Sequence, residues 1–114
     1  MDANSVIKAL AALAQEHRLA VYRLLVQAGP EGLSAGILAD RIGVAPSSMS
    51  FHLAQLANAG LLMQRRQSRS IIYSADFDVM NSVMGYLTEN CCGGLSCSPI
   101  TAFFPDVSDQ REVA

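Results

Sequence analysis

Three cysteines, Cys91, Cys92 and Cys97, lie within seven residues near the end of a 114-residue chain. An odd number so closely spaced is a poor layout for stapling a secreted domain, but as free thiols in a reducing compartment they form a set of soft ligands. Three sulfurs select a thiophilic ion over magnesium or calcium. Zinc sites are usually four-coordinate, and the chain's histidines, His17 and His52, fall near the start of a second helix and on the polar face of a later one. A fourth zinc ligand would therefore be a carboxylate such as Glu89, or come from a second subunit. Trivalent arsenic, As(III), and antimony, Sb(III), need only three sulfurs, because a lone pair fills the remaining position. Arsenite is neutral at pH 7 and condenses with three thiols without leaving net charge. A divalent ion on three thiolates carries about −1 and must first displace three protons. That matters at a helix C-terminus, where the negative end of the dipole disfavours thiolates. Cadmium (Cd), lead (Pb) and zinc (Zn) stay open, as does a redox switch closing Cys91 or Cys92 onto Cys97.

The cysteines follow a stretch in which Phe77, Met80, Val83, Met84 and Leu87 recur every three to four residues, which predicts a helix from Phe77 to Asn90 with a broad apolar face. On a continuous helix adjacent residues point about 100° apart, so Cys91 and Cys92 face one ion only after local unwinding. Gly93 and Gly94 supply that freedom and let Cys97 fold back. Beyond the break, Ile100, Phe103 and Phe104 are expected to pack back, and residues 106–114 read as a polar tail. The organisation is thus one domain over residues 1–92 and a C-terminal tail over 93–114 carrying the third cysteine.

A second set of polar residues sits in mid-chain. The net charge is −2, yet between Arg41 and Ala75 there are four arginines (Arg41, Arg65, Arg66, Arg69) and no acid. An electropositive segment on an otherwise acidic protein is the footprint of a polyanion site. The elements that would carry it are legible. Ser5, a possible cap, opens a short helix to about Ala14, and a second apolar run from Leu19 to Val26 ends at Gly29-Pro30. After a loop at Glu31-Gly32-Leu33, Ser34 caps a two-turn helix closed by Gly43. Pro46 then suits the first position of a helix reaching Asn58 or Ala59. In that helix Met49, Leu53 and Leu56 form a narrow apolar stripe, and Ser47, Ser48, His52 and Gln55 fall largely outside it. Two β-compatible runs, 61–66 and 70–74, flank the polar tip Gln67-Ser68-Arg69 and predict a hairpin.

Three helices followed by a basic hairpin is the winged helix-turn-helix order, in a mainly α fold with a small β-hairpin. Helix 34–42 positions the recognition helix 46–59 for the major groove, and hairpin arginines reach phosphate or minor groove. The motif Ser50-Phe51-His52-Leu53-Ala54-Gln55-Leu56, then Ala59-Gly60-Leu61-Leu62, Arg65-Arg66 and Ile72-Tyr73, resembles the ArsR/SmtB family of metal- and metalloid-responsive repressors over roughly residues 5–90. The resemblance implies a homodimer joined by its first and last helices, binding double-stranded operator DNA through Ser47, Ser48, Ser50, His52, Gln55, Arg65, Arg66 and Arg69. Among these Gln55 is the best base reader, since a carboxamide makes bidentate contacts that serine cannot. Some arsenic-responsive members carry Cys-x-Cys-x-x-Cys on the helix before the recognition helix; residues 33–39 here hold no cysteine. A Cys-Cys pair with a third cysteine after the terminal helix resembles another placement known in that family, with As(III) the expected effector.

Other classes fit less well. No apolar run approaches the ~20 residues of a membrane helix, and the start Met1-Asp2-Ala3-Asn4 lacks the basic character of a secretory signal. A cytoplasmic location is the default expectation. A small thiol enzyme is disfavoured because no Cys-x-x-Cys sits in a β-α-β pattern and no second catalytic residue accompanies the cysteines.

Overall fold

The computed structural model describes residues 1–94. Cys97, the apolar residues Ile100, Phe103 and Phe104, and the expected polar tail lie outside the described residues. In chain order the elements are α1 (Ala3–Leu13), α2 (Glu16–Ala28), a 3-10 turn (Gly29–Glu31), β1 (Leu33–Ser34), α3 (Ala35–Ile42), α4 (Pro46–Asn58), β2 (Leu62–Gln67), β3 (Ser70–Ala75) and α5 (Phe77–Leu87). This is the winged helix-turn-helix order, mainly helical with a small antiparallel sheet.

Caps explain most helix starts. Ser34 accepts from the Ile37 N–H at 3.3 Å, as its position before an apolar run suggests. Gly43 closes α3 at a left-handed φ of 82°, where a side chain would be strained. Pro46 stands at the first turn of α4. At α1, in contrast, the cap is Asp2 and not Ser5: the Asp2 carboxylate accepts from the Ser5 N–H at 3.0 Å. The chain therefore enters the helix earlier than the apolar spacing indicates. The hydrogen bonds from Ser5 hold the Asp2 carboxyl below its ordinary 3.8.

The sheet has three strands in the order β1-β3-β2, all antiparallel. The hairpin β2-β3 runs in register from Leu62 opposite Ala75 to Gln67 opposite Ser70, so the tip is the two residues Ser68 and Arg69, with Gln67 inside the ladder. The third strand occupies what reads as loop in the sequence: Leu33 pairs with Tyr73 and Ser34 with Ile72. Two residues are too few to show an alternating pattern. Gly32 permits the approach, since its φ is 71° and a Cβ there would collide with the Tyr73 carbonyl.

One core joins the elements. Val21 and Leu25 from α2, Leu38 from α3, Met49, Leu53 and Leu56 from α4, Leu61 and Val83 are fully buried. Each such side chain stabilises the fold by about 1.5–3 kcal/mol relative to exposure. The helices α1 and α5 bury less of themselves: Ile7, Leu10, Tyr86 and Leu87 stay exposed, and Val83 is the one fully buried residue of α5. Among the described residues no helix is long and apolar enough to cross a membrane.

Candidate functional site

The polar surface is built on α4. Its apolar stripe, Met49, Leu53 and Leu56, anchors it against the core and turns the opposite side outward. Ser47, Ser48 and Ser50 are exposed and Gln55 is half-buried. Packing of α3 against α2 and α4 holds the helix from behind.

His52 departs from the expectation. It is only 9% exposed and belongs to the buried side of α4, so it is not part of the outward polar face. Three residues beyond Met49 and four before Leu56, it lies about 60° from the stripe's centre line and completes that face. There its ring meets His17, the centroids 5.5 Å apart and the planes tilted by 59°. The two histidines thus come together between α2 and α4 although the sequence separates them. Nδ1 of His52 is buried with no hydrogen-bond partner among the described residues. Burial, then the nearby Arg18 charge, then His17 lower its pKa from 6.5.

In its place the structure exposes Phe51, 56% accessible and flanked by the serines of the outward side. It offers no hydrogen-bonding group. The signal was an aromatic residue outside the apolar stripe, and phenylalanine on a groove-facing helix has a use in packing against the thymine methyl group.

The wing arginines are not equivalent. Successive residues of β2 point to opposite sides, so Arg65 and Arg66 diverge. Arg65 donates to the Pro30 carbonyl at 3.2 Å and the Glu31 carbonyl at 2.8 Å, binding the wing to the turn after α2. Its guanidinium is thereby largely committed. Arg66 and Arg69 are exposed, and among the described residues neither side chain makes a hydrogen bond or ion pair. A cavity of about 340 Å³ lies at the wing's base, where Pro30, Met63 and Arg65 face Phe77 and Asp78 at the start of α5.

At the far end of α5 the helix stops at Leu87, three residues short of the expected Asn90. Thr88 Oγ1 turns back to donate to the Met84 carbonyl at 2.9 Å, and the chain passes into left-handed backbone at Asn90 and at Cys92, where φ is 58° and ψ 34°. Cys91 and Cys92 consequently sit in a tight turn, Cys91–Gly94, instead of on a continuous helix. Cys91 is half-buried and Cys92 exposed. Among the described residues no three His, Cys, Asp or Glu side chains gather into a metal-ligand group.

The family model for a helix-turn-helix domain matches residues 13–65. Nodulation protein NolR of Rhizobium meliloti is 32% identical over 88 residues, covering 77% of this chain and 70% of that protein. Among solved structures, an ArsR-like transcriptional regulator from a Rhodococcus species superposes with a TM-score of 0.68 at 24% identity, over 92% of this chain and 93% of its own. The homodimeric winged helix-turn-helix DNA-binding domain of a possible ArsR-family regulator from Mycobacterium bovis gives 0.62 at 22% identity, over 82% and 87%.

Proposed function

The chain belongs to the ArsR/SmtB family of winged helix-turn-helix transcriptional regulators, and from that premise we propose that it is a dimeric operator-binding repressor released when Cys91, Cys92 and Cys97 take up trivalent arsenic. The observation that carries the DNA-binding half is the outward side of α4, where Ser47, Ser48, Ser50 and Phe51 stand exposed, together with the exposed wing arginines Arg66 and Arg69, which make no ion pair among the described residues. Phe51 and the serines enter the major groove, Gln55 reads from the groove's edge, and the two arginines neutralise phosphates. The exposed Ile7 and Leu10 of α1 and Tyr86 and Leu87 of α5 supply the apolar surface for a two-fold partner. The Mycobacterium relative is a homodimer of the same fold.

The effector half rests on the turn after α5. Because the helix has already ended at Leu87, two adjacent cysteines can approach one centre without unwinding a turn of α5. Arsenous acid condenses with the three thiols, forming three As–S bonds and releasing three waters, so no net charge is added near the helix end. The closure draws the C-terminal segment toward α5 and disturbs the dimer face from which the two recognition helices are spaced. A coupling of ~1–3 kcal/mol weakens operator binding several-fold to about a hundredfold.

Fluorescence anisotropy of the chain on its own promoter fragment, titrated in parallel with arsenite, antimonite, cadmium, zinc and peroxide, tests this. Arsenite and antimonite should release DNA, and serine at Cys91, Cys92 or Cys97 should leave binding intact while abolishing release. Release by peroxide alone would replace the metalloid with thiol oxidation. Loss of DNA binding in the serine variants would make the cysteines structural.

A further inference from the structure

Between α1 and the C-terminal half of α4 lies a cavity of about 230 Å³ whose polar lining is entirely hydrogen-bond donating or amide: Lys8, Arg18, Gln55 and Asn58. The remaining walls are Ala11, Ala12 and Ala59, whose short side chains leave the space open. No carboxylate lines it, and among the described residues neither Lys8 nor Arg18 makes an ion pair. Arg18 is half-buried, and its Nε donates to the Ala12 carbonyl at 2.7 Å. That bond satisfies an orphan carbonyl at the end of α1 and fixes the guanidinium plane, leaving the Nη groups without a protein acceptor among the described residues. Gln55 and Asn58, three apart on α4, lie on one side of the helix and bring amide donors to the opposite wall.

We propose that this cleft binds a phosphate-class oxyanion, held by Lys8 and the Arg18 fork from one side and by the Gln55 and Asn58 amides from the other. Two cations with no counter-ion among the described residues, one of them fixed and partly removed from water, make a site suited to a negative partner. The volume is below the roughly 300–1,000 Å³ of a drug-sized ligand site and suits a tetrahedral anion with a few waters of about 30 Å³ each. Lys8 lies about 100° around α1 from Ile7 and about 160° from Leu10, so the cleft opens on a different side from the exposed apolar surface. Because Gln55 and Asn58 belong to α4, an anion in the cleft ties the recognition helix to α1. The anion has two possible sources, free phosphate or phosphorylated metabolite in solution, or a backbone phosphate of bound DNA. Binding of the free anion does not depend on the cysteine reading or on DNA binding.

The test follows the side-chain amide signals of Gln55 and Asn58 and the Arg18 Nε signal by 15N NMR during titration with sodium phosphate at constant ionic strength, with chloride as control. Saturable shifts in the millimolar range or below, weakened about tenfold or more by Lys8→Gln or Asn58→Leu, are expected for the free anion. These variants leave the Arg18 bond to α1 in place and should fold. A parallel arm measures the salt dependence of promoter binding. A slope reduced by about one in Lys8→Gln, without saturable phosphate shifts, assigns the site to a DNA phosphate. No saturable shift together with an unchanged slope overturns the proposal, and so do shifts that persist undiminished in both variants.

Discussion

The two ends of the molecule that a regulator must couple are built on opposite plans. Around α4 nearly everything is fixed: caps on α3, a proline start, a stripe of fully buried side chains and a wing tied to the preceding turn through Arg65. After α5 the chain has left the helix, carries two non-glycine residues in left-handed backbone, and exposes Cys92. A surface that reads a nucleic-acid groove has to hold several side chains within fractions of an ångström, which needs a stiff support. The thiol trap proposed for Cys91 and Cys92 would instead have to reshape around a small centre, which suits a segment where few packed contacts resist movement.

The largest expected contrast between the two regions is in stability. Leu53→Ala should lower the unfolding free energy by ~2–5 kcal/mol, because it opens a hole in the packed base of α4. Cys91→Ser should stay within ~0.5 kcal/mol. Urea denaturation of both variants checks this, and equal losses would remove the distinction. On DNA, Arg66→Gln and Arg69→Gln should each reduce the log-log salt slope by about 0.9. Arg65→Gln should leave the slope nearly unchanged while lowering the melting temperature, since it releases the wing from the Pro30 and Glu31 carbonyls.

Two polar groups test how stiff the rigid region is. His52 has a folded pKa below the 6.5 of a free histidine, so the unfolded chain takes up its proton first. Its contribution to stability is complete above pH 6.5 and is lost as the pH falls from there toward the folded value. Urea midpoints should therefore decline below pH 6.5, and His52→Gln should flatten that decline. The smallest effect is expected at Tyr22, whose hydroxyl is buried with no hydrogen-bond partner among the described residues and whose pKa is pushed up to about 12 by burial and the Asp76 charge. Tyr22→Phe should be neutral to stabilising by up to ~1 kcal/mol in the same assay, because it removes an unsatisfied group without opening space.

Where a residue's type and its neighbours agree, as at Ser34, Gly43 and Pro46, the sequence alone yields both the element and its boundary. The apolar stripe of α4 was equally legible. His52 is polar by type, yet its position on the helix puts it beside Met49 and Leu56, so residue type and place disagree there. Phe51 shows the complementary case, an apolar side chain on the polar, outward side of the helix. The pairing of β1 and the meeting of His17 with His52 depend on residues brought together from distant parts of the chain, which no local spacing encodes. The early end of α5 leads into left-handed backbone at Asn90, a conformation that asparagine tolerates but that its presence alone does not dictate.

The two-residue strand β1 has a consequence for how DNA is measured. Ser34 is at once the last residue of that strand, paired with Ile72 in the wing, and the cap that starts α3. Wing and helix-turn-helix are thereby the two jaws of one calliper, joined at a hinge that has been pinned. A duplex whose groove width or twist departs from the set gap cannot be accommodated by swinging the wing alone. In the proposed dimer on its operator, the mismatch would be borne by the DNA or by the angle between subunits, so sequence-dependent duplex stiffness would enter the operator preference even where no side chain touches a base.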